Sequence, residues 1–310
     1  MVMVSFSAPI RVFVMGCSRG GTTLMQRLVA ERLSLSTLPE TRFFANMAGN
    51  VEQHMFPHTA RRLSLRRQIS SHLREALGRS TGMRLLDIAG MPPIEGLKWA
   101  SFRSTTATFL AVMDDLTRTE GTAGWLEKTP FHVLYAPLIA RLVPEAWMIH
   151  IQRDAKETVG SIRDAANRFH DPWAINYDRV ERDVDNWNAS TAASAAMVRR
   201  PRQIFVPYAA LTRAPEAVLD RVAEMMGAAA QGRAQPRTPP PAGLTSTRDH
   251  QWKAAAVSGA VAPSASKWGT ALTPDEQARA LALIVPVPAA LLHEMAPFFA
   301  LVGLREGEVI

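Results

Sequence analysis

Cysteine is almost missing: Cys17 is the single one in 310 residues, which excludes an intrachain disulfide framework and a multi-cysteine zinc site. A cytoplasmic setting is the expectation. Lysine is also scarce, with five (Lys98, Lys128, Lys156, Lys253 and Lys267) among 35 basic residues. Against 28 acids these give a formal net charge of +7, carried mostly by arginine. Guanidinium groups suit fixed phosphate or carboxylate geometry, and a compositional bias of the encoding genome would enrich them equally. No apolar run is long enough to cross a bilayer. Ala280–Leu292 reads ALALIVPVPAALL, but two prolines interrupt it and His293-Glu294 stop it, so a buried helix with a break is expected, without membrane insertion. The apolar start, Met1–Phe6, lacks an early basic region and runs into Pro9, so no secretory signal is expected. No zinc-finger spacing or aromatic RNA-binding signature accompanies the spread-out basic excess, and nucleic acid is not an expected partner.

Five short β-branched or apolar runs are present: Arg11–Met15, Leu35–Leu38, Gly124–Glu127, Ala146–Gln152 and Gln203–Pro207. Helical periodicity fills most of the intervals, so the chain reads as α/β with a mainly parallel sheet covered by helices. Within Arg61–Arg79 the apolar residues Leu65, Ile69, Leu73 and Leu77 recur every fourth position, predicting an amphipathic helix with a basic solvated face. One domain spanning 1–310 is expected, with a helical insertion over about 46–98 and a proline- and glycine-rich loop over about 227–247.

Gly16-Cys17-Ser18-Arg19-Gly20-Gly21-Thr22-Thr23 links the first strand to a helix, where backbone N–H groups and the positive helix end converge on a phosphate. Set against the ATP-loop pattern GxxxxGK[ST], Gly16, Gly21 and Thr23 match while Thr22 replaces the lysine. That lysine reaches the β and γ phosphates, so its absence argues against a magnesium-dependent triphosphate mechanism. The cation here is Arg19, inside the turn. A second anion site is expected where Arg153 leaves the fourth strand and Ser161 follows about two turns along the next helix. Asp154 and Glu157 have capping-box spacing and need no catalytic reading.

In order along the chain, VFVMGCSRGGTTLMQRL (12–28), GWLEKTPFH (124–132), RLVPEAWMIHIQRDAKETVGSI (141–162) and IFVPYAALTRAPEAVLDRVAEMMG (204–227) resemble the 3′-phosphoadenylyl-sulfate-dependent sulfotransferases. The similarity is to their bacterial and Golgi-type branch, which contains tyrosylprotein and carbohydrate sulfotransferases. The resemblance implies a P-loop nucleotide-kinase-like three-layer fold and 3′-phosphoadenosine 5′-phosphosulfate (PAPS) as donor. It also implies transfer to a small-molecule, carbohydrate or other acceptor without a required metal. By position, Arg19, Gly20, Gly21, Thr22 and Thr23 correspond to the family's 5′ site, and Arg153 and Ser161 to its 3′ site. Gly20 stands where serine is frequent, removing one hydroxyl contact.

Glu40, in LSTLPETRFF, reads from the residues alone as a turn acid beside Arg42 or as a base; the resemblance implies the base. Lys128 would stabilise the leaving group or pair with an acid such as Glu127. Tyr208 corresponds to a position near the adenine, though core packing explains an aromatic there equally well, and Lys267 of SKWG would complete the nucleotide end. His132 reads as a packing residue. An ATP-dependent kinase and a noncatalytic nucleotide-binding module are the rival readings.

Overall fold

Val12 and Val14 face one side of the first strand and Phe13 and Met15 the other, and this alternation builds both halves of the core. The computed structural model describes residues 8–59, 71–91, 101–169, 173–227, 261 and 263–305. The described strands form one parallel sheet: β1 (Ile10–Gly16), β2 (Leu35–Thr37), β3 (Gly124–Lys128), β4 (Trp147–Gln152) and β5 (Gln203–Pro207), ordered β2-β3-β1-β4-β5. A central parallel strand is covered on both faces, which is why β1 is apolar without interruption from Val12 to Met15.

On one face, α1 (Thr22–Leu33) and α10 (Pro215–Met225) supply Met25, Leu28, Val218 and Val222 against Val12, Leu126, Ile149 and Ile204. On the other, α5 (Phe102–Glu120) and α8 (Val180–Ala195) supply Phe109 and Trp187. Phe13, Phe44, Phe109 and Trp125 interlock there with ring centroids 5.3 to 6.1 Å apart, largely edge to face, an arrangement contributing about 0.5–1.5 kcal/mol per pair beyond burial. The result is a sheet between two helical layers, the α/β class expected from the sequence.

Helix α4 runs Ser71–Ile88, so the helix expected over 61–79 is present from 71 and continues past its expected end; 60–70 lie outside the described residues. So does the expected loop beyond Gly227. The Ala280–Leu292 segment needs a correction. The break is real, between the helices Pro274–Leu283 and Ala289–Leu301, but Leu281, Leu283 and Val285 are exposed. Only residues such as Ala280, Val287 and Leu291 turn inward, because each helix offers one narrow stripe to the core. Among the described residues no helix is long and apolar enough to cross a membrane.

Connections from β1 lead to β2 and β3 on one side and to β4 and β5 on the other, which opens a crevice above the carboxyl end of β1. Loops leaving the other strands border the same edge.

Candidate functional site

Five of the residues singled out from sequence follow the carboxyl ends of the strands in spatial order: Glu40 after β2, Lys128 ending β3, Arg19 after β1, Arg153 after β4 and Tyr208 after β5. At the usual strand spacing the row extends over four intervals, about 19 Å.

The phosphate loop meets α1 at Gly21, which has φ 99°, and no side chain caps the helix. The first N–H groups of α1 therefore have no internal cap, the arrangement that attracts an anion. Gly21 cannot be replaced by a larger residue, because a Cβ there would run into the ring of Tyr208. Arg19 also lies in the left-handed region, with φ 64°. Its Nε donates to Ser161 Oγ at 3.2 Å, and Arg153 Nη1 donates to the Arg19 carbonyl at 3.1 Å. The two expected anion sites thus form one continuous cluster, and Arg19 is aimed at Ser161. Burial, and then the neighbouring Arg153 charge, push the Arg19 guanidinium down to about 10. Two guanidinium groups this close favour an anion between them.

Arg153 is the most tightly framed member. Its Nη2 donates to Ser264 Oγ at 2.8 Å, its guanidinium lies 4.7 Å from the Tyr208 ring centroid, and Trp187 Nε1 donates to its carbonyl at 3.0 Å. Asp154 caps α7 (Ala155–Arg168) by accepting from the Glu157 N–H at 2.8 Å. The reciprocal half of the expected capping box is replaced by Glu157 Oε2 facing Arg153 Nη2 at 3.5 Å. Tyr208 is half-buried beneath Arg153 and against Gly21, so it joins the cluster as a platform.

Lys267 enters through its backbone. The segment Lys267–Trp268 crosses α7 at Gly160, where a Cβ would lie 2.7 Å from Trp268 N and 2.9 Å from the Lys267 carbonyl carbon. Glycine inside a helix is about 1 kcal/mol less favourable than alanine, and here it permits that close approach. Gly160→Ala is expected to lift the late segment carrying Ser264 and Lys267 off α7 and to destabilise the fold by about 1–3 kcal/mol, the cost of overpacking. Chemical denaturation measures it.

At the other end of the row Lys128 Nζ donates to Glu40 Oε1 at 2.7 Å. The lysine side chain is 1% exposed and the glutamate side chain 22%, so Glu40 is the partner open to an incoming molecule. Glu127, beside Lys128, is fully buried and is bonded to Thr41, Thr129 and His132. His132, edge-on to Phe44, has the packing and hydrogen-bonding place expected of it.

Thr22 is buried at the start of α1 and Thr23 is half-buried. Behind the loop, Tyr177 OH donates to Ser18 Oγ at 2.9 Å, and Cys17 Sγ donates to Asn186 Oδ1 at 3.3 Å. Burial pushes the Cys17 thiol up to about 12, so it is a protonated support of the loop. Sequence reading missed Ser264, Gly160, Thr41 and Thr129. Only Gly160 carried a local signal, a glycine in mid-helix. Among the described residues no group of three His, Cys, Asp or Glu side chains is placed to hold a metal ion.

Similar solved structures include a sulfotransferase from Alicyclobacillus acidocaldarius, at 13% identity and TM-score 0.46, covering 96% of this chain and 98% of that one. A sulfotransferase from Mycobacterium tuberculosis gives 14% identity and TM-score 0.44, over 72% of this chain and 69% of that one. One from Mycobacterium avium gives 16% and 0.41, over 70% and 64%. No curated protein matches the chain significantly. A family model described as the sulfotransferase family matches residues 9–231, which take in the phosphate loop, the Glu40 loop, the Lys128 strand end, Arg153 and Tyr208, and the chain belongs to that family.

Proposed function

We propose that the chain transfers the sulfonate group of PAPS to an acceptor hydroxyl, giving a sulfate ester and adenosine 3′,5′-bisphosphate. The observation that carries this reading is the row itself: a carboxylate–ammonium pair at one end and an arginine–hydroxyl cluster, continuous with an uncapped helix start, at the other. The donor's two phosphates suit such a cationic, hydroxyl-rich cluster. Gly20, Gly21, Thr22, Thr23 and the first N–H groups of α1 take the 5′ end. Arg153 and Ser161 take the 3′ phosphate, and Arg19 lies between the two. Tyr208 flanks the nucleotide, and Lys267 closes its far side.

Chemistry falls to the other end. As the acceptor oxygen bonds to sulfur and the bond from sulfur to the bridging oxygen breaks, that oxygen leaving with the phosphate, Glu40 receives the acceptor proton. Lys128, together with Arg19, stabilises charge growing on the departing phosphate. A small molecule or carbohydrate is the acceptor class, and the chain acts as one domain without a metal.

The test is transfer from radiolabelled PAPS to a panel of phenols, sugars and amines, with and without chelator, alongside labelled ATP and magnesium. Chelator-resistant labelling from PAPS is the expected result. Labelling from ATP alone would replace this reading with a kinase, and PAPS binding without transfer across the panel would replace it with a binding module.

A further inference from the structure

The loop between β2 and α2 (Phe43–Ala48) carries Glu40 past the carboxyl end of β3, and side chains fasten it there on both faces of the strand. Alternation along β3 puts Lys128 on one face and Glu127 on the other. Lys128 reaches Glu40, and Thr41 Oγ1 donates to Glu127 Oε1 at 2.7 Å, so two successive strand residues grip two successive loop residues. Thr129 Oγ1 donates to the same Glu127 oxygen at 2.7 Å, and His132 Nδ1 lies 2.9 Å from the other.

The threonine hydroxyls also accept. Arg42 N donates to Thr129 Oγ1 at 3.1 Å and Phe43 N to Thr41 Oγ1 at 3.2 Å. Each backbone N–H is therefore relayed through a hydroxyl to the same buried carboxylate, Glu127. Arg42 lies in the left-handed region at φ 55°, a conformation that a bulky residue keeps only when its surroundings enforce it. Burial pushes the Glu127 carboxyl up, but His132 and the hydrogen bonds from His132, Thr129 and Thr41 override this and hold it below the usual carboxylate range. It is an anion where hydroxyl donors converge.

We propose that Glu127 is a positioning residue for the transfer reaction: through Thr41 and Thr129 it fixes the Glu40 loop against β3 and so sets the contact between Glu40 and Lys128. This rests on Glu40 and Lys128 being the base and the cation. A carboxylate with only a folding role would change stability and leave that contact as it was.

Thr41→Val removes the loop-side link at constant shape, Thr41→Ser keeps it, and Glu127→Gln removes the anion. Glu40 is followed by carbon-13 carboxyl titration, assigned with Glu40→Gln; kcat, donor KM and adenosine 3′,5′-bisphosphate affinity are measured on the same proteins. In Thr41→Val, loosening of the Lys128 contact raises the Glu40 midpoint by about one pH unit. Turnover then falls about tenfold, within the range of a misplaced acid–base group. Nucleotide affinity and donor KM stay within about twofold, because the anion cluster lies farther along the row. Thr41→Ser restores both parent values, and Glu127→Gln moves the midpoint in the same direction as Thr41→Val. A Glu40 titration in Thr41→Val identical to the parent's overturns the proposal. The titration needs no acceptor, so it decides whether Glu127 sets the Glu40–Lys128 contact separately from whether any acceptor is sulfated, and failure of the contact and failure of the functional reading are told apart.

Discussion

Glu40→Gln lowers turnover by about 10² to 10⁴, the contribution of general acid–base catalysis, while adenosine 3′,5′-bisphosphate binds within about twofold of the parent. Glutamine keeps the shape and a carbonyl that can accept from Lys128 Nζ, but it cannot take a proton from an acceptor hydroxyl. The substitution also removes the carboxylate charge that a 1% exposed lysine contacts at 2.7 Å. Removing one partner of a buried pair destabilises by about 3–5 kcal/mol when both ions are fully enclosed. Glu40 is the more open ion, so the loss here is smaller, and a lower melting temperature accompanies the loss of turnover. Calorimetry with the bisphosphate nucleotide separates the two effects, since a folded variant with intact affinity and no turnover has lost chemistry. Parent-like turnover would remove Glu40 from the mechanism and make Lys128–Glu40 a structural pair.

Arg153→Ala raises the dissociation constant for adenosine 3′,5′-bisphosphate about 10- to 100-fold, because charge-assisted hydrogen bonds contribute about 1.5–3 kcal/mol. Three supports lose their partner together: the Arg19 carbonyl, Ser264 Oγ and the face of Tyr208. Turnover at saturating donor changes only a few-fold, since Arg153 lies two strands from Lys128, about 10 Å. Arg153→Lys recovers part of the affinity, because a single ammonium cannot make the same forked set of bonds. Unchanged affinity in Arg153→Ala would reject the 3′-phosphate assignment.

The strands were the most legible feature of the sequence. β5 has its expected bounds, and β1 and β3 extend their expected runs by one residue or so. Short β-branched runs flanked by glycine or proline leave little alternative in a buried parallel sheet. The added residue on β3 matters, since it is Lys128 itself, held in register with Val14 of β1. Contacts between distant residues were not legible. Glu40 and Lys128 are 88 positions apart and Arg19 and Ser161 are 142 apart, so no local pattern encodes their meeting. The resemblance named these residues; only the sheet order shows how they line up. The aim of Arg19 toward Ser161 comes from its left-handed backbone, which composition does not report for an arginine. Ser264 had no motif at all.

The register Ile10↔Gly124 has a consequence for biosynthesis. β1 emerges from the ribosome roughly a hundred residues before its partner β3, and at about 5–20 residues per second that is a wait on the order of 10 s. During that interval the apolar run Val12–Met15 has neither neighbour in place, since β4 is made later still. Nascent chains of this protein therefore carry an unpaired apolar first strand over that interval, and slowing translation before Gly124 is expected to lower the soluble yield.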